Sequence, residues 1–82
     1  MDRRERNRNR RERISAAINL IEDIKDQIED IRDAEIEEFE NLPVGIQTSP
    51  RGENMEQDVL DFDEVCKTLE SATALLNEIL ER

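Results

Sequence analysis

Histidine, tryptophan and tyrosine are missing from this 82-residue chain, and Phe39 and Phe62 are its only aromatic residues. Imidazole acid–base chemistry, histidine metal sites and aromatic platforms for stacking nucleobases are therefore excluded. The single cysteine, Cys66, has no partner for an internal disulfide, and no stretch resembles a signal peptide or a membrane span. A soluble cytoplasmic protein is the expectation. Two Pro and two Gly are too few for a chain rich in turns, and all four fall within residues 43–52. So small a chain has little room for an enclosed active site, and oligomerisation is a standing expectation.

Charge is what the chain has in quantity: 41% of residues are Asp, Glu, Lys or Arg, and the net charge is -10. Seven Arg against three acids fill residues 1–13, whereas residues 14–82 carry five basic residues against nineteen acids. The chain is a basic arm on an acidic body, and the arm is read as a helical extension or as disordered.

Helical periodicity begins at Ile14, where Ile14, Ala17, Ile18, Ile21, Ile24, Ile28, Ile31, Ile36, Phe39 and Leu42 recur at spacings of three to five. The stripe shifts after Ile31, because Glu35 and Glu38 take the continued heptad positions. In the second half Met55, Val59, Phe62, Cys66, Leu69, Thr73, Leu76 and Leu80 step by four and three, and Val65, Ala72 and Ile79 widen the seam. Leu60 and Leu75 fall outside it, as ordinary exposed leucines or as a second contact face. Cys66 and Thr73, within the seam, are read as structural.

These patterns predict helices over about 14–41 and about 50–81, joined by a loop over about 42–49. At about 1.5 Å per residue both helices are about 45 Å long. The fold expected is all-α, an antiparallel helical hairpin. Roughly twenty apolar side chains, each contributing about 1.5–3 kcal/mol only when fully buried, cannot offset ordering about eighty residues unless another layer covers them. The expectation is a homodimer forming a four-helix bundle, with a monomer that folds on a partner as the alternative. Antiparallel association is favoured, because the loop end is densely acidic and the end carrying the termini is basic.

Few motifs carry chemistry. The acids Asp58, Asp61, Asp63 and Glu64 lack the register of an EF-hand, and a di-metal bundle site needs His, so neither metal nor cofactor is expected. Paired carboxylates on exposed helical faces have no pocket to separate their environments, so catalysis is not expected. The arm, with Arg3, Arg4, Arg6, Arg8, Arg10, Arg11 and Arg13, is a candidate for docking on nucleic-acid phosphates. It resembles the basic region of a leucine-zipper protein around Asn7, but Arg10 and Arg11 stand where that pattern has Ala. The alternative is an arm paired with acids, within or between subunits.

The connection NLPVGIQTSPRGE holds the remaining candidates: Leu42, Val44, Ile46, Gln47, Ser49, Arg51 and Gly52. Leu42, Val44 and Ile46 are apolar where a plain loop would be polar, so they plug the end of the bundle or meet a partner. Pro43 ends the first helix, and Gly45 permits a turn that a side chain would obstruct. Ser49 and Pro50 read as N-cap and first residue of the second helix. Arg51 lies in that helix's first turn, where a nucleotide phosphate could bind, although pairing with the nearby Glu cluster is the favoured reading.

The run N-L-P-x-G-x-Q-x-S-x-R-G-E-x-M-E, from Asn41 to Glu56, resembles a loop in small acidic helical-hairpin proteins of unassigned function encoded by bacteriophages and bacteria. Val44 and Pro50 stand where that pattern has acidic residues, and the basic arm is outside the resemblance. The resemblance implies a phage or mobile-element protein acting in a bacterial cytoplasm as a modulator of a host protein. It implies Gln47, Ser49, Arg51 and Gly52 as a shared loop and no catalytic residues.

Overall fold

The computed structural model describes residues 2–82 as three helices, α1 (Arg3–Glu40), α2 (Val44–Gln47) and α3 (Pro50–Glu81). α1 and α3 pack along one another as an antiparallel hairpin, a rod with extents of 66 × 15 × 15 Å. The basic segment is therefore the beginning of α1, whereas the periodicity places a helix only from Ile14.

α1 starts where Asp2, in an extended conformation, accepts the Glu5 amide on its carboxylate at 2.9 Å. That bond satisfies one of the free N–H groups of the first turn. No Gly or Pro interrupts the next 38 residues. The helix stops at Asn41, since Pro43 biases Leu42 away from helical backbone. Pro43 then serves as the N-cap position of α2, and its carbonyl accepts the amides of Ile46 and Gln47 at 2.9 and 3.0 Å. The sequence predicts only a loop over about 42–49 here. A single helical turn forms instead, so the apolar residues of the connection project from a fixed frame.

The seam on α3 follows the expected heptad positions, with Met55 and Cys66 buried and Val59, Phe62, Leu69, Thr73, Leu76 and Leu80 half-buried. Thr73 donates to the Leu69 carbonyl at 3.0 Å. The α1 seam differs from the expected one. Ile14, Ile18, Ile21, Ile28, Ile36 and Phe39 face α3, but Ile24 and Ile31 are exposed, and Lys25 and Arg32 occupy the seam in their place.

These two cations set the register. The Lys25 ammonium meets Glu70 at 3.1 Å and Arg32 meets Asp63 at 2.8 Å, so two pairs seven residues apart on both helices lock one alignment. The hydrogen bond to Glu70 raises the Lys25 pKa above its ordinary 10.5, against a smaller opposing effect of desolvation. Hydrogen bonds to Asp63, then Asp33, raise that of Arg32.

α1 outruns α3 at the end that carries the termini. Arg11 donates to the Leu80 carbonyl in the last turn of α3, which places Arg11 near that helix's end and leaves the earlier arm residues beyond it. A guanidinium there satisfies a free carbonyl and suits the negative end of the helix dipole. Among the described residues only Ile18, Met55, Cys66 and Gly52 are buried, so the hairpin has a seam rather than an enclosed core.

Candidate functional site

Two ends and two long sides make up the surface, and the loop end concentrates the unusual chemistry. α2 is held against α3 by the absence of a side chain. A Cβ on Gly52 would stand 2.0 Å from the Gln47 carbonyl oxygen and 2.7 Å from its Cα, so only glycine admits this approach. Gln47 in turn donates its amide to the Phe39 carbonyl at 3.0 Å, a second donor to an oxygen in the last turn of α1 that also accepts the Leu42 amide at 3.1 Å. The turn is thus tied to both long helices, through a backbone contact on one side and a side-chain hydrogen bond on the other.

The sequence reading assigned the requirement for glycine to Gly45. That position has open space around it and no left-handed backbone, so the requirement lies at Gly52 instead. Ser49 does stand at the N-cap of α3 with Pro50 following, but its hydroxyl donates back to the Ile46 carbonyl rather than accepting an amide of α3. The favoured pairing of Arg51 with the Glu cluster is not formed: among the described residues no carboxylate lies within 4.0 Å of its guanidinium, and the side chain is exposed. Arg32 makes the ion pairs instead, to Asp33 and Asp63.

Leu42 is half-buried, whereas Val44 is 75% exposed and Ile46 is 37% exposed. A plug closing the hairpin is therefore formed by Leu42 at most, and Val44 points an apolar side chain into water. Next to the turn, Ile36, Phe39, Met55, Val59 and Leu60 line a groove of 360 Å³ whose edges carry Glu40 and Glu56. Its floor is apolar and its rim is negative. The helix ends that carry it are rich in carboxylates, from Glu35 to Glu40 and from Glu53 to Glu64.

Every arginine of the arm is exposed: Arg3, Arg4, Arg6, Arg8, Arg10, Arg11 and Arg13. Arg6, Arg10 and Arg13 share one side of α1, where they border a shallow cleft with Ala17 and Leu76, while Arg11 lies on the α3 side and bonds Leu80. The seven arginines thus divide between faces and do not form one phosphate-binding stripe.

Lys25 and Glu70 are not singled out by sequence and Asp63 is weighed there only as a metal ligand, although Lys25–Arg32 and Asp63–Glu70 share a seven-residue spacing that pairs opposite charges in an antiparallel hairpin. Among the described residues no group of three or more His, Cys, Asp or Glu is placed to hold a metal ion, and no helix is long and apolar enough to cross a membrane. No family model matches the chain, and comparisons with curated proteins and with solved structures return no match.

Proposed function

We propose that this protein is a non-catalytic interaction module that binds another protein through its acidic loop end. The observation that supports this most is Val44: it is 75% exposed on a turn that Gly52 and Gln47 tie to both helices. A connection that only reversed the chain would need neither the rigid frame nor an apolar tip. A pre-formed apolar projection loses little entropy on binding, which is how small surfaces gain affinity.

The groove between Phe39 and Leu60, with Glu40 and Glu56 at its edges, fits a partner segment that presents apolar side chains flanked by Lys or Arg. The surrounding carboxylates would speed its encounter, and weaken in effect as salt is added. With the resemblance of the Asn41–Glu56 loop to phage-encoded proteins, the reading becomes a modulator that occupies a basic surface of a host protein.

A photo-crosslinking amino acid at Val44 in cells should yield one discrete adduct, lost when Leu60 is changed to Asp. Absence of an adduct, or an adduct indifferent to Leu60→Asp, would refute the reading. A second reading rests on Arg51, which lacks a carboxylate partner at the start of α3: an oligomer could hold a nucleotide phosphate there. Glu53 in the same turn opposes this. A nucleotide panel that produces no thermal shift removes it.

A further inference from the structure

The apolar side chains that the hairpin leaves exposed are in register with one another. On α1, Leu20, Ile24 and Ile31 each stand one residue before a seam position, namely Ile21, Lys25 and Arg32. On α3, Val65, Leu75 and Ile79 each stand one residue before Cys66, Leu76 and Leu80. The pseudo-two-fold axis that relates two antiparallel helices runs normal to the plane containing them. An equal offset therefore turns both sets to the same side of the hairpin, and a second apolar face results. Leu60 follows the seam residue Val59 and so belongs, with its groove, to the opposite side.

This face is charged with opposite sign at its two ends. The same three–four spacing on α1 passes through Arg6, Arg10 and Arg13 before the apolar stretch and reaches Glu38 after it. On α3 it begins at Asp58 and ends at Arg82. The accessible surface of the chain, 6386 Å², exceeds the roughly 5,100 Å² expected of a compact monomer of this mass.

We infer that a second copy of the chain covers this face, antiparallel, about a two-fold axis that crosses α1 between residues 25 and 26 and α3 at Glu70. On α1 that axis sets Ala17 against Ala34 of the second copy, Leu20 against Ile31 and Arg13 against Glu38. On α3 it sets Val65 against Leu75, Thr68 against Ala72 and Asp58 against Arg82. The poorly matched layers are Asp61 against Ile79 on α3 and Ile24 against Gln27 on α1. The two registers are chosen independently, one on each helix, yet a dimer has a single axis. They coincide because the Lys25–Glu70 ion pair, 3.1 Å, holds residue 25 level with residue 70. A parallel dimer would instead stack arginines on arginines and acids on acids.

Ala17→Cys and Ala34→Cys chains, alone and mixed, test the register under mild oxidation. Within one helix these positions are about 26 Å apart, far beyond disulfide reach. Cys66 is only 5% exposed, so the unaltered chain should not cross-link. The mixture is expected to give a disulfide-linked dimer and neither variant alone to do so; a self-linked Ala17→Cys dimer, or no link in the mixture, overturns the proposal. Sedimentation supplies a second measure: Arg13→Glu and Glu38→Arg should each weaken self-association about tenfold or more, and the double variant should recover it. These residues are about 37 Å apart in one α1, so recovery arises only between chains. No recovery, or a wild-type chain that sediments as a monomer, overturns it as well. The face lies opposite the Leu60 groove, so either outcome leaves the loop-binding test unaffected.

Discussion

Adding one carbon to Gly52 would place it 2.0 Å from the Gln47 carbonyl oxygen, whereas the same change at Gly45 meets nothing within 4 Å. Backbone must shift in the first case, and overpacking of this kind costs about 1–3 kcal/mol. In the second, alanine restricts the unfolded chain and fits a helical backbone, which stabilises by about 0.4–1 kcal/mol. Gly52→Ala is therefore expected to lower the urea midpoint and Gly45→Ala to raise it; the reverse order would show that α2 does not rest on α3. Sequence alone points to the wrong glycine, because Gly45 sits in the apparent turn and Gly52 inside a run that reads as helix. What decides is a contact between Gln47 and Gly52, and a backbone-to-backbone approach leaves no mark in residue type. Arg51 is similar: the nearest acids, Glu53 and Glu56, stand two and five residues on, whereas the positions three and four on that share its helix face are Asn54 and Met55. Arg32 finds Asp63 across the hairpin because its position in the α1 seam faces α3.

Among the elements, the two long helices are legible because their apolar spacing is regular over many turns, and Cys66 and Thr73 fall on the seam for the same reason. The rotation of α1 is less legible. Its apolar residues fill two adjacent stripes, and Ile24 and Ile31 compete with Lys25 and Arg32 for the seam. The ion pairs settle that competition, with long stems packing where a β-branched chain would otherwise lie. This arrangement makes the joint between α1 and α3 sensitive to alkali. Folding raises the Lys25 pKa above 10.5 through its hydrogen bond to Glu70, so its contribution is complete below 10.5 and is lost as pH rises through the higher folded value. The chain has no Tyr and only Lys25 and Lys67 as lysines, which leaves this range uncrowded. Above pH 10.5 the wild type should lose thermal stability more steeply than Lys25→Met, while Lys67→Met should follow the wild type. Parallel slopes for wild type and Lys25→Met would show that the Glu70 contact is not maintained in solution.

At the scale of the molecule, a 66 Å rod with three buried core side chains among the described residues has a shortage of shared interior. Most of its apolar surface is half-covered, and the stripe through Leu20 and Leu75 is left open, each of these two being more than 60% exposed. If a second copy supplies the missing layer, folding and association are one equilibrium and stability depends on protein concentration. A tenfold dilution of a two-state dimer removes about 1.4 kcal/mol from the pair. For a unit of twice this chain's length, each kcal/mol moves the midpoint by about 2–4 °C, so the Tm should fall about 3–6 °C per tenfold dilution. Leu20→Glu places a carboxylate at the centre of the stripe, where it should lower the Tm and abolish that dependence while far-UV circular dichroism shows how much helix persists. A wild-type Tm that is constant over a hundredfold range of concentration would mean that the hairpin stands alone, with its second apolar face in water.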